Sequence, residues 1–293
     1  MKKLLGVCVI ALLLLFAGNA VAHEIYIGID EDIEVNEQTE IRLYWGHFPA
    51  DPDPVSSYFN SVPDGEFYIV EPDGGRISLP LERLDDHYRA VFTPSQAGDH
   101  WVVFSHDRGI LDWTHSEPQG KQSIATYAKA LLDVHGDDET VAFSRLAGHY
   151  LEILPLVDGG HLHAGELYMA QLLYHGIPLD GVSGTYYGPD DQSGEFITGP
   201  GGTFAFTPDV EGDWLVKISY FDDTKTGDGE EELLGARYTT TLLLTPHTHD
   251  DDDYVQTPTA TSSGSSTYGY IALIVLMLLG AGFFFMKSNK QSA

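Results

Sequence analysis

The chemistry in this chain begins at His23. It follows Ala20-Val21-Ala22, a small-x-small pattern suited to signal-peptide cleavage. Cleavage there is expected to make His23 the first mature residue. A free α-amino group and the residue's own imidazole then chelate one divalent metal with two nitrogens. Glu24 adjoins it as an assisting carboxylate. The competing reading is that an exported chain must begin with something and that His-Glu is accidental. His47, in Trp45-Gly46-His47-Phe48-Pro49, stands where a strand gives way to a loop, which suits a third ligand. It suits equally a histidine hydrogen-bonded at a strand end.

Further along, His161 and His163 flank Leu162 and would share a face if the segment is extended, so their spacing permits joint ligation. A turn residue beside a strand residue, with no shared partner, is the alternative. His247-Thr248-His249 runs into Asp250-Asp251-Asp252-Asp253, two imidazoles and four carboxylates able to gather divalent cations weakly. The same run also reads as an acidic, solvated stalk. No catalytic arrangement stands beside these ligands. The only cysteine, Cys8, leaves with the signal, and there is no Gly-x-Ser-x-Gly elbow, phosphate-binding loop or His-Glu-x-x-His pair. The expectation is a protein that is not an enzyme and holds no organic cofactor.

The two ends supply the expected address. Lys2 and Lys3 precede an apolar run over residues 4–16, so residues 1–22 read as a signal peptide. Residues 268–286 carry no charged side chain and would span about 28 Å as a helix at ~1.5 Å per residue. Lys287 and Lys290 follow in a short tail over 287–293, so the positive-inside rule leaves the N-terminal bulk outside the cytoplasmic membrane. Lysines at the very end favour a retained membrane helix over a removable anchor signal.

The chain carries 15 basic and 44 acidic residues, a net charge of −29, and none of the acidic residues lies in the two apolar ends. Without Lys2, Lys3, Lys287 and Lys290 the exterior part holds 11 basic residues, a net of −33. Such a surface repels nucleic acid and anionic lipid, and attracts cations. Acidity that merely keeps the protein soluble is the rival explanation, against which stand the 13 histidines.

The elements that must position these residues read mainly as strands. Residues 40–45, 66–70 and 88–92 alternate in period two, 100–105 is a further apolar strand, and Gly, Pro and Asp clusters separate them. This predicts a first antiparallel sandwich over 23–115. Ile124, Tyr127, Ala128, Leu131 and Leu132 fall at helical spacing behind Ser123, which predicts one helix in a connector over 116–148. Strands at 150–154, 167–174, 182–187, 203–207, 214–220 and 238–244 predict a second sandwich over 149–246. Phe92-Thr93-Pro94 ahead of Gly98-Asp99-His100-Trp101 matches Phe206-Thr207-Pro208 ahead of Gly212-Asp213-Trp214, as in a distant internal repeat or a shared hairpin type. Residues 247–267 are expected to be a stalk too polar to bury a core. The expected fold class is therefore all-β: two Ig-like antiparallel β-sandwich domains, a short helical connector and a C-terminal transmembrane helix.

The start His23-Glu24-Ile25-Tyr26 with Gly46-His47-Phe48-Pro49 resembles the NikK-type periplasmic components that accompany nickel and cobalt uptake transporters of the ECF type. The second half is similar too, from 151–156 through His163-Ala164-Gly165-Glu166 and 173–179 to 202–208 and Gly212-Asp213-Trp214. Tyr26 departs from the tryptophan frequent in relatives. The resemblance implies an exported, β-rich protein that captures or delivers Ni²⁺ or Co²⁺ as cargo beside the transporter's membrane components. It carries over His23 and His47 as ligands, but does not supply the His247–Asp253 run. Two other classes compete: a copper protein using an N-terminal histidine brace, as carrier or oxidative enzyme, and a structural or adhesive surface protein in which the histidines are incidental.

Overall fold

The computed structural model describes residues 23–30, 33–49, 51–136, 140–226 and 232–248. The expected signal peptide, His249 with the rest of the expected stalk, the expected membrane span at 268–286 and the residues after it lie outside these residues. Among the described residues, no helix is long and apolar enough to cross a membrane.

The described chain is mostly β-structure in three sheets, its strands numbered in chain order. An outer sheet runs β1 (Glu24–Ile29), β3 (Thr39–His47), β8 (Tyr88–Phe92), β7 (Glu82–Arg83), with β4 (Asp51–Pro52) also on β3. A second outer sheet runs β11 (Leu151–Pro155), β12 (Tyr168–Tyr174), β13 (Ile177–Pro178), with β16 (Thr203–Phe206) also on β12. Between them lies a nine-stranded sheet. Its order is β15 (Ser193–Ile197), β14 (Ser183–Tyr187), β17 (Trp214–Asp222), β18 (Ala236–Leu244), β10 (Gly120–His135), β9 (Gly98–Trp113), β5 (Glu66–Val70), β6 (Arg76–Ser78), with β2 (Ile33–Glu34) beside β10. One short helix, α1 (Ser57–Ser61), is capped by the Ser56 hydroxyl accepting from Tyr58 N–H.

Alternation along the central strands divides the apolar side chains between two cores, because successive residues of a strand point to opposite faces. Val102 and Phe104 of β9, with Leu215 of β17, join Ile25, Ile27, Ile41 and Leu43 of the first outer sheet. Trp101, Val103, Val216 and Ile218 point the other way, onto Leu151, Ile153, Ala170 and Leu172 of the second. The sandwich-like packing expected from the sequence is present, and the two sandwiches share their middle layer.

The expected connector helix is not formed. Residues 123–132 lie within β10, which pairs antiparallel with β9 and parallel with β18 over residues 123–130. Every residue from Ile124 to Ala130 is buried, since this strand is packed on both faces and on both edges. A strand of that kind shows no two-residue alternation, and its Ala and Leu content mimics a helix former. Lys129 sits in this strand with Nζ 2.8 Å from Glu152 Oε1 of β11 and 4.1 Å from the Trp101 ring centre, tying the middle layer to the second outer sheet. The same carboxylate accepts from the N–H groups of Ala147, Gly148 and His149. The His149 ring stacks on Tyr127 at 4.4 Å. Burial pushes its pKa down to about 3; Glu152 opposes this and Lys129 adds to it.

The two matching Phe-Thr-Pro segments make the same crossing. β8 in one outer sheet leads to β9 in the central sheet, and β16 in the other leads to β17, each carrying a buried tryptophan, Trp101 and Trp214.

Candidate metal centre

The histidine pair is built by strand register. β1 runs antiparallel to β3 with Glu24 opposite Gly46 and Ile29 opposite Ile41, so His23, one residue before β1, falls opposite His47. The two imidazole centroids are 4.3 Å apart. Along β3, buried Ile41 and Leu43 alternate with half-buried neighbours. Trp45 and His47 continue that row to the end of the strand, as His23 continues the row of Ile25 and Ile27.

Beyond His47 the chain turns back sharply. Gly46 pairs with Pro52, His47 with Asp51, and Asp53 N–H donates to the Trp45 carbonyl at 2.7 Å. A Cβ on residue 46 would lie 2.3 Å from the Asp51 carbonyl oxygen and 2.5 Å from Pro52 Cα, so only glycine admits this approach. The turn delivers two carboxylates to the histidines. Asp53 Oδ2 lies 2.9 Å from His23 Nε2, and Asp51 Oδ2 lies 3.6 Å from His47 Nδ1.

These contacts assign the remaining nitrogens. With Nε2 of His23 on Asp53, Nδ1 is the nitrogen left nearest the backbone. A carboxylate on the far nitrogen of a ligating histidine is the usual arrangement, since it fixes the ring and raises its basicity. His47 Nε2 is buried and has no hydrogen-bond partner among the described residues. A buried polar nitrogen without a partner is costly, and a metal ion removes that cost. The indole of Trp45 stacks on the His23 ring at 5.5 Å, and Tyr58 from α1 meets Trp45 edge-on at 4.3 Å. The side chain of His23 is 36% exposed and that of His47 28%, so the pair faces solvent on one side.

Glu24 plays another part than the assisting ligand expected of it. It is buried, with Oε2 2.7 Å from Lys217 Nζ and Oε1 accepting from Phe48 N–H at 3.0 Å. Its carboxylate positions the loop after His47. Among the described residues, no three His, Cys, Asp or Glu side chains stand together as a ready metal cage. The donor set at His23 and His47 is two side chains, and its third nitrogen would come from the main chain. Asp51, Asp53 and Trp45 were not singled out by sequence reasoning. Their signal was Asp51-Pro52-Asp53-Pro54 directly after the Gly46-His47 turn, hard to hear in so acidic a chain.

The other expected ligands are placed elsewhere. His161 Nδ1 lies 3.1 Å from Asp158 Oδ2 and Nε2 3.8 Å from Asp133 Oδ2; burial opposes its protonation, but these carboxylates prevail and raise its pKa. His163 faces Glu166 instead, with Nδ1 3.5 Å from Oε2, and is bridged to His247. The structure thus brings His163 to His247 while giving His161 its own carboxylates. His249 lies outside the described residues.

Residues 20–222 match the model of the family described as Domain of unknown function (DUF4198). The chain belongs to the DUF4198 family. The DUF4198 region contains His23, Glu24, His47, Asp51, Asp53, His161, His163 and Lys217, and ends before His247. No curated protein matches the chain. Among solved structures, a 1.5-MDa bacterial ice-binding adhesin is 9% identical over 78% of this chain and 65% of that one, with a TM-score of 0.24. A Ca²⁺-stabilised adhesin of an Antarctic bacterium is 9% identical over 77% and 49%, also at 0.24. A marsupial T cell receptor is 10% identical over 75% and 73%, at 0.22. The chain thus spans less than two thirds of either adhesin, and likeness at this level carries no argument about this DUF4198 chain.

Proposed function

We propose that this chain is an extracytoplasmic, membrane-tethered metal-binding component that captures Ni²⁺ or Co²⁺ as cargo and passes it to the membrane components of an uptake transporter. The observation that carries the reading is the meeting of His23 and His47, one ring held by Asp53 and the other presenting a buried, unpartnered Nε2. Removal of residues 1–22 would give the amino nitrogen of His23 to the same ion, making three nitrogens from two residues. The DUF4198 match supports the reading, because NikK-like components carry this domain.

Binding follows from the chemistry of these side chains. Neutral imidazole and amine nitrogens suit Ni²⁺, Co²⁺ and Cu²⁺, and intrinsic affinity for such a set rises from cobalt through nickel to copper. Asp53 holds the His23 ring in the tautomer that leaves Nδ1 free to ligate. The half-exposed face of the pair lets cargo enter and leave, and the net charge of −33 outside the apolar ends raises the local cation concentration.

The test is metal titration of the processed full-length chain beginning at His23, repeated with one residue added before His23. Tight binding of Ni²⁺ or Co²⁺ that collapses on extension is the expected result. Binding that survives extension unchanged would overturn the chelate. Absence of any site stronger than the His247–Asp253 run would overturn the metal-binding role. Binding of Cu²⁺ alone would favour the histidine-brace copper protein.

A further inference from the structure

His163 and His247 meet although one lies in the DUF4198 region and the other beyond it. They form a parallel bridge, closed by His247 N–H donating to the Leu162 carbonyl at 3.0 Å and Ala164 N–H donating to the His247 carbonyl at 2.8 Å. Bridge partners lie side by side on neighbouring strands, so their side chains leave from the same face. Two imidazoles leaving the same face of neighbouring strands can share one ion at about 2.0–2.1 Å each. The turn after His163 brings a third donor. Glu166 N–H donates to the His163 carbonyl at 3.1 Å, Gly165 takes the left-handed conformation (φ 88°), and the carboxylate folds back to accept from His163 N–H at 3.1 Å. Its Oε2 is then 3.5 Å from His163 Nδ1, on a side chain 49% exposed.

We infer that His163, His247 and Glu166 form a second divalent-cation site, which fastens the chain leaving β18 to the 163–166 turn when it is loaded. Two imidazoles and one carboxylate select Zn²⁺, Ni²⁺, Co²⁺ or Cu²⁺ over Ca²⁺ and Mg²⁺, which prefer oxygen alone. The ligands are prepared to different degrees. The backbone bridge fixes positions 163 and 247 relative to each other; the three side chains do not stand together as a ready cage, so the ion must draw Glu166 and both imidazoles out of their present contacts. His161 is outside the set because Asp158 and Asp133 hold it. This site does not depend on the His23 chelate.

The two are separated by using the processed full-length chain with one residue added before His23, which blocks the amino-terminal chelate, and by titrating it with Zn²⁺ alone. One Zn²⁺ per chain is expected, with affinity falling about tenfold or more in His163→Ala and in His247→Ala. Glu166→Gln should weaken it several-fold, and the thermal midpoint should rise with Zn²⁺ in the parent but not in His247→Ala. The Asp250–Asp253 carboxylates are then changed together to asparagine. Unaltered binding in that variant is the expected result. Zn²⁺ binding that is untouched by His163→Ala but lost with those carboxylates would overturn the site and leave the acidic run binding alone. Absence of Zn²⁺ binding to the extended chain would overturn it as well, whatever the outcome at His23.

Discussion

Lys217 Nζ and Glu24 Oε2 lie 2.7 Å apart, both side chains almost wholly withdrawn from solvent, and the contact fastens the residue beside His23 to the middle sheet. Removing one member of a buried pair exposes the other to an uncompensated environment, at a cost of about 3–5 kcal/mol. Glu24→Ala should therefore destabilise the fold by about 3 kcal/mol in urea unfolding. It should also weaken metal binding, because Phe48 N–H loses its acceptor and the loop after His47 loosens.

Gly46→Ala should act on the site through the main chain. Its Cβ cannot stay 2.3 Å from the Asp51 carbonyl oxygen, so the β3–β4 pairing must open and carry Asp51 and Asp53 away. Titration calorimetry should show at least a tenfold loss of Ni²⁺ affinity. An affinity equal to the parent's would mean the carboxylate turn is irrelevant to binding.

Asp53→Asn keeps an oxygen able to accept from His23 Nε2 but removes its charge. Loss of such a supporting carboxylate typically costs about 10–100-fold in metal affinity. Because His23 and Asp53 are both partly exposed, stability itself should change by less than about 1 kcal/mol. A large loss of stability with unchanged binding would contradict the role given to Asp53.

Trp45 offers an optical readout. Its indole lies 5.5 Å from the His23 ring, so an open-shell ion on that ring should quench its fluorescence, whereas Zn²⁺, with a filled d shell, should not. In Trp45→Phe the Ni²⁺-dependent quenching should disappear while a site remains measurable by calorimetry.

His149 predicts a pH dependence of stability. Its folded-state pKa is about 3 against an ordinary 6.5, so between these values the unfolded chain binds the extra proton and the folded chain does not. Stability therefore rises with pH across that interval and is lost as pH falls from about 6.5 toward 3. His149→Phe, which preserves the stack on Tyr127, should flatten this part of the profile in thermal unfolding measured at stepped pH. A slope identical to the parent's would remove His149 as its source.

Much of the β-structure was legible because its strands are short apolar or alternating runs bounded by Gly, Pro and Asp turns. Expected strands at 66–70 and 88–92 coincide with β5 and β8, and those at 214–220 and 238–244 fall within β17 and β18. β1 and β15 were not picked out as strands, and β10 was read as a helix, because burial on both its faces erases alternation and leaves Ile124, Tyr127, Ala128 and Leu131 at a spacing that imitates one. The shared middle layer followed from that same strand, since only its pairing with β9 and β18 joins the halves. At the centre, His23 and His47 were recognisable from their surroundings in the chain. Their apposition depends on β1–β3 register, and Glu24's turn toward Lys217 depends on a contact across 193 positions that no local pattern encodes. The His163–His247 bridge is likewise long-range, and it divided two residues, His161 and His163, that spacing alone would join.

The parallel pairing of β18 with β10 has a mechanical consequence. A pull on the chain beyond residue 248 acts along β18, whose ladders to β10 and β17 run beside the direction of load. Their hydrogen bonds must then slide together instead of parting one at a time. Thr241 of the same strand donates its hydroxyl to the Ile25 carbonyl at 2.8 Å, two residues from His23. The strand loaded by such a pull is therefore the one against which the amino-terminal strand is seated.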